Sequence, residues 1–245
     1  MPSRAVVVAL VVLSAPLAAQ QPTAPADSLS LTAPRWHFGV AANLGRPLGR
    51  FKQQVGHAGG AQGHLRVRLD QAGRVSLRMQ AGWLNYGHES HPICLASTPG
   101  CRVKVNATTA NGILALGVGP EISYPLGRLR AYGHGLVGVS RFATVTGIGG
   151  GLMPDMVAGD ENFGDSGFAW SAGAGVELPI TQRTTVDVGV AYHGHGEREY
   201  LTKGGITDNA DGSLSFNSKR STANVFAMRL GVTTSLGWGT RKTKS

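Results

Sequence analysis

The sequence predicts an all-β fold: an eight-stranded antiparallel up-and-down transmembrane β-barrel with short turns at one end and long loops at the other. Three observations carry that reading. Apolar and small or polar residues alternate with period two along eight segments, glycine is in excess on the face opposite the apolar one, and short connections alternate strictly with long ones.

The alternation comes first, because successive side chains of a strand point to opposite faces. The first candidate strand sets Trp36, Phe38, Val40, Ala42 and Leu44 against His37, Gly39, Ala41 and Asn43. The second sets Leu65, Val67 and Leu69 against His64, Arg66 and Arg68. The third has Val75, Leu77, Met79, Ala81 and Trp83 against Ser76, Arg78, Gln80 and Gly82. The fourth has Leu114, Leu116, Val118 and Ile122 against Ala115, Gly117, Gly119 and Glu121. The fifth covers 129–143 with an ambiguous phase. The sixth sets Phe168, Trp170, Ala172, Ala174, Val176 and Leu178 against Ser171, Gly173, Gly175 and Glu177. The seventh sets Val186, Val188, Val190 and Tyr192 against Asp187, Gly189, Ala191 and His193. The eighth sets Phe226, Met228, Leu230, Val232, Leu236 and Trp238 against Ala227, Arg229, Gly231, Ser235 and Gly237.

Glycine supplies 36 of 245 residues, about twice the roughly 7% norm. Glycine weakens ordinary strands. A narrow lumen in a lipid-facing barrel needs small side chains opposite long polar ones, so it tolerates this excess. The connections 70–74, 125–128 and 179–183 are short, while 45–60, 87–106, 147–166 and 194–222 are long. Membrane barrels show this asymmetry, with short periplasmic turns and long outer loops.

The termini suggest an address. Arg4 precedes the apolar run Ala5–Leu13, and Ala18 and Ala19 precede Gln20. Residues 1–19 read as a secretory signal peptide. Residues 20–34, with Pro22, Pro25 and Pro34, read as a flexible lead-in. The barrel is expected over 35–239, and 240–245 form a basic tail. Export permits a disulfide between Cys94 and Cys101, the two cysteines of the chain. Net charge is +9. The basic residues are scattered, without a basic helix or an aromatic–basic stacking motif, so no nucleic acid is expected as partner. A basic surface meeting anionic lipid headgroups is the better account.

Aromatic residues gather at two levels. Trp36, Tyr124 and Trp238 fall at the short-turn rim, and Trp83, Phe168, Trp170, Tyr192 and Phe226 near the opposite rim. Two interfacial girdles are expected. Seven charges face inward in this register: Arg66, Arg68, Arg78, Glu121, Glu177, Asp187 and Arg229. A narrow interior makes an unpaired charge expensive, so a network is expected.

Region 35–238 resembles the small eight-stranded outer-membrane barrels of the OmpA/OmpX-like class. The segment Gly39-Val-Ala-Ala-Asn-Leu-Gly-Arg-Pro-Leu-Gly-Arg-Phe51 is similar to the opening of many such domains. Arg229, Gly231 and Leu236 fit the terminal signal read by the insertion machinery, while Thr234 departs from it. The resemblance implies a bacterial outer-membrane location. It implies lipid, lipopolysaccharide and the insertion machinery as partners, and leaves the extracellular partner unknown.

Three functions are then expected in order: a structural or surface-interaction barrel with a filled interior, a narrow porin, and a lipid A-modifying enzyme. The last would resemble the barrel deacylases that use a His and a nearby Ser. Here Tyr192-His-Gly-His195 has His where that pattern wants Ser, with Glu197 following. His88, Glu89 and Ser90 form a second polar group. No catalytic site is assigned, because no spacing places a base within reach of a nucleophile. Histidines 88, 91, 193 and 195 lack a supporting carboxylate geometry, so no metal is expected. Gly149-Gly-Gly151 lacks the Lys-Ser/Thr of a phosphate loop. Asp155, Asp160, Glu161 and Asp165 do not match a calcium loop. No cofactor is implied.

Overall fold

The computed structural model describes residues 35–94, 104–148, 160–209 and 214–236. The proposed signal peptide, the lead-in 20–34, Trp238, Cys101 and the tail 240–245 lie outside them. The disulfide and the Trp238 girdle position therefore fall outside the described residues.

Eight long strands close into one sheet. They are β1 (Trp36–Pro47), β2 (Ala58–Arg68), β3 (Val75–Cys94), β4 (Lys104–Leu126), β5 (Leu129–Ile148), β6 (Asp160–Pro179), β7 (Thr184–Gly194) and β12 (Val225–Leu236). Each pairs antiparallel with its neighbour in sequence, and β12 returns to β1, so the sheet is an up-and-down barrel. Closure is in register from Trp36↔Leu236 to Pro47↔Val225. It leaves no edge in the main sheet, as lipid requires.

The faces are inverted relative to a soluble protein. Val40, Leu44, Leu116, Ile122, Val139, Val188, Met228 and Leu230 lie exposed on the outside. Arg66, Arg78, Glu121, Glu177, Asp187 and Arg229 are buried inside. This is the transmembrane arrangement, in which lipid covers the outer face. The fifth strand takes its phase from the fold. Its even residues from Arg130 to Ser140 point inward, while Val137 and Val139 face out. Inward Tyr132 and Leu136, with Gly133, Gly135 and Gly138 split between faces, hid that phase in the sequence.

The short turns have local causes. Asp70 Oδ2 and Oδ1 accept bonds from the Arg74 and Val75 N–H groups at 3.0 and 2.9 Å. The bond from Val75 leads in holding the Asp70 carboxyl below its usual range. Gly127, with φ 63°, turns β4 into β5. Thr181 Oγ1 accepts from the Arg183 and Thr184 N–H groups at 3.2 and 3.0 Å.

The other end differs from the sequence reading. Much of 87–106 is strand, not loop, since β3 and β4 pair out to Cys94↔Lys104. Strands β5 and β6 likewise pair out to Thr146↔Asp160. Alternation reports contact with lipid, whereas the hydrogen-bonded ladder continues past the apolar belt with no pattern demanded of it. Of segment 45–60, Gly45–Pro47 belongs to β1 and Ala58–Gly60 to β2, and the connection between them carries the helical turn α1 (Phe51–Gln54). Segment 194–222 carries β8 (Glu197–Tyr200), β9 (Ile206–Asp208), β10 (Leu214–Phe216) and β11 (Lys219–Thr222) as two small paired sheets.

One glycine requirement follows from the narrow lumen. A Cβ on Gly189 would meet Ala174 O at 2.8 Å and Arg229 Nε at 3.0 Å. Gly59 has nothing within 4 Å of that position. Gly189→Val should therefore lower stability by about 1–3 kcal/mol through overpacking, while Gly59→Ala should change it by less than about 0.5 kcal/mol. Urea midpoints of the vesicle-folded proteins check this, and equal midpoints would contradict the packing.

Candidate functional site

The short-turn half of the lumen holds a charge lattice contributed strand by strand. The register creates its problem. Arg66 on β2 sits directly across from Arg78 on β3, and Glu177 on β6 across from Asp187 on β7. Like charges in those positions repel. Opposite charges from further round the barrel resolve both pairs.

Glu121 on β4 is the hub, with no exposed side-chain surface. Its Oε1 accepts from Arg66 Nη1 at 2.8 Å and lies 3.3 Å from Arg130 Nη2, and its Oε2 accepts from Arg78 Nη1 at 2.8 Å. Arg66 Nη1 also donates to Glu177 Oε1 at 2.7 Å, reaching from β2 to β6 across the axis. Arg130 Nε lies 3.2 Å from Glu177 Oε2. Asp187 is paired separately, accepting from Arg229 Nε at 3.1 Å. Arg229 Nη2 also donates to the Tyr132 hydroxyl on β5, and its guanidinium carbon lies 5.1 Å from the centre of that ring.

Above the charges, neutral polar groups fill the lumen. Asn43 donates to Gln62 at 3.1 Å, and Gln62 to Gln80 at 3.3 Å. Thr233 Oγ1 and His64 Nε2 meet at 3.3 Å from β12 and β2, across the space that Gly39 leaves. Higher still, Thr144 Oγ1 donates to Asn111 Oδ1 at 2.6 Å.

The long-loop mouth is closed by aromatic packing. Helix α1 buries Phe51 completely, with ring centroids 4.9 Å from Tyr200, 5.4 Å from Tyr86 and 6.1 Å from Phe142. A bulge between Asn85 and Gly87 carries Tyr86, and bulges commonly re-aim a side chain in this way. Tyr86 donates to Leu201 O at 3.2 Å, and the Tyr200 hydroxyl lies 2.8 Å from Ser221 Oγ. His195, just beyond β7, joins this cap at 5.5 Å from Phe142. Burial, then the charges of His193 and Arg198, push its imidazole down to about 3. It is neutral in ordinary buffers and serves as packing.

Six of the seven inward charges named from sequence meet in these ion pairs. Arg68 does not. It stands half-buried at the mouth, with Nη2 donating to Gln71 O at 2.9 Å and no described carboxylate within ion-pair distance. At the last residue of β2 it lines the mouth and turns its guanidinium to the β2–β3 connection. Arg130 and Tyr132 take part instead, and the unread phase of strand 5 concealed both. An Arg two residues after a tight turn, at the depth of Glu177, was the available signal. Phe51 gave no signal, because a single aromatic in a long connection has no period.

Of the aromatic girdles, Trp36 and Tyr124 are exposed at the short-turn rim, and Phe168, Trp170 and Phe226 lie exposed at the other. Trp83 is half-buried over Gly112, and Tyr192 is half-buried against Trp170 at 5.3 Å. His193 and His195 are buried inside the barrel, their ring centroids 6.2 Å apart. Neither imidazole has a hydroxyl bonded to it among the described contacts. Asp165 accepts the Glu199 N–H at 2.8 Å. No group of three or more metal-ligating side chains is gathered among the described residues.

No family model and no curated protein matches the chain. Solved structures do resemble it. Neisserial surface protein A superposes with a TM-score of 0.47 at 10% identity, covering 82% of this chain and 97% of that one. Ail, the attachment invasion locus protein of Yersinia pestis, gives 0.44 at 11% identity, over 82% and 97%. A major outer membrane protein from Thermus thermophilus gives 0.44 at 13%, over 81% and 98%.

Removing one partner of a buried ion pair costs about 3–5 kcal/mol, because the other charge is stranded. Glu121→Gln should cost at least that much, since three guanidiniums depend on it. Glu197→Gln breaks only the exposed pair with Arg220, and exposed pairs are worth under about 1 kcal/mol. Unfolding midpoints of the two variants should separate accordingly, and similar midpoints would remove the hub from the account.

Proposed function

We propose that this chain is an outer-membrane barrel with a filled, non-conducting interior and a structural or surface-interaction role. The short turns face the periplasm and the long loops face outward, as the loop asymmetry of such barrels implies. The reading rests on one observation: side chains block the lumen between its two mouths. The Glu121 lattice fills one half and the Phe51–Tyr86–Phe142–Tyr200 cap closes the other. Eight strands leave an interior just wide enough for side chains, and here charged and aromatic groups use that width.

With the axis closed, the surfaces left for interaction are the outer belt and the two rims, and of the rims the long-loop one faces outward. That rim is built for presentation: β3–β6 carry their ladders past the apolar belt, and the two small sheets of the last connection add hydrogen-bonded structure to it. The belt suits lipid, and the rim with its mixed charges suits lipopolysaccharide and an external partner. A lipid-modifying activity at His193 and His195 is disfavoured, because both imidazoles turn into the barrel, away from the lipid face.

Three measurements test this. The mature protein should fractionate with outer membranes and migrate faster on unboiled gels. Planar bilayers holding it should stay at baseline, and steady single-channel currents would install the porin reading instead. Mass spectra of lipid A should be unchanged on expression, and loss of an acyl chain would favour the enzyme.

A further inference from the structure

The short-turn mouth opens into a cavity of about 330 Å³. Arginines from four places in the fold line it: Arg68 at the end of β2, Arg128 in the β4–β5 turn, Arg130 at the start of β5 and Arg183 in the β6–β7 turn. The buried Arg66 lines it as well. Among its described lining residues the one carboxylate is Glu177, already held by Arg66 and Arg130. No described carboxylate lies within ion-pair distance of Arg68, Arg128 or Arg183. The Nε atoms of Arg66 and Arg68 are buried without an acceptor.

Charge accounting along the axis points the same way. Inside the barrel Arg66, Arg78, Arg130 and Arg229 face Glu121, Glu177 and Asp187, so one guanidinium is in excess. The mouth adds three more cations on top of that excess. A concave, low-dielectric opening lined by one sign of charge concentrates the opposite ion. Guanidiniums are planar forks that bind oxyanions in pairs of parallel hydrogen bonds. Donors arriving from separate strands and turns suit an anion with several acceptor oxygens around one centre.

We infer that this arginine vestibule is a binding site for a phosphate group, either free in the periplasm or carried on an anionic lipid headgroup. The site stands on its own geometry, and only its compartment rests on the outer-membrane reading. Arg128 and Arg183 are the recognition residues at the entrance. Arg130 and Arg66 link them to the lattice, so occupancy also offsets the excess interior charge and stiffens the short-turn end.

The test uses the full-length protein in detergent, titrated with inorganic phosphate at constant ionic strength with chloride as balance. Calorimetry should show saturable binding of one phosphate. Arg128→Gln/Arg183→Gln should weaken it at least tenfold, and because both residues sit in turns outside the lattice the variant should keep its heat-modifiable gel shift. Arg68→Gln, an independent change in the same wall, should weaken it too, whereas Glu197→Gln should not. Nanodiscs separate the two sources. A headgroup ligand would abolish phosphate binding in phosphatidylglycerol discs but not in phosphatidylcholine discs, while a free-phosphate site would titrate alike in both. Absence of saturable binding together with no retained phosphatidylglycerol overturns the inference, and so does equal affinity in the double variant. Recovery of the chain in a soluble periplasmic fraction would instead overturn the location and leave the titration standing.

Discussion

The interior depends on Glu121, because the register leaves like charges facing each other with no local remedy. Arg66 and Arg78 are forced together by the β2–β3 pairing, and Glu177 and Asp187 by the β6–β7 pairing. A buried guanidinium without a counter-charge is too costly to keep. Glu121 lies one strand beyond Arg78 and bridges both arginines with its two oxygens. Arg66 and Arg130 then carry the compensation on to Glu177. Each of these charges therefore finds an opposite charge on another strand, which ties the closed circumference together through its centre as well as through its ladder.

The same lumen explains where side chains must be absent. Arg229 crosses beside Gly189, and Tyr132 occupies the space over Gly175 and Gly189. His64 and Thr233 meet only because Gly39 carries no side chain between them. Large polar groups and glycines are thus two halves of one packing solution in a barrel whose bore is close to the width of a side chain. The aromatic cap follows a different rule. It lies above the charges, buries Phe51 among three other rings, and excludes water without needing an ion.

The two ends of the barrel are chemically unequal. The long-loop end closes on apolar rings and spends its charges in local contacts such as Arg220 with Glu197 and Glu199 N–H with Asp165. The short-turn end stays open and collects Arg68, Arg128 and Arg183, which have no described carboxylate within ion-pair distance. The excess positive charge of the described interior therefore lies toward the short-turn rim, while the long-loop rim is sealed by rings.

The sequence by itself determined the number of barrel strands, the direction in which each of seven of them faces, and the alternation of short and long connections, but not β8–β11 within 194–222. Those features follow from local rules: period two, and the demand of lipid for an apolar outer face. It also placed Glu121, Glu177, Asp187, Arg66, Arg78 and Arg229 inside, since inward direction is a property of a single strand. It could not read past the apolar belt, so the paired length of β3–β6 and the folding of 45–60 around Phe51 went unread, because beyond lipid the ladder imposes no residue pattern. The phase of β5 was hidden by inward Leu136 and Tyr132, and Arg130 with it. Which cation meets which anion was decided only by the tertiary structure. Depth along the axis and distance across it depend on the closure of β12 on β1, and that closure left Arg68 at the mouth while bringing Arg66 to Glu177 from 111 residues away.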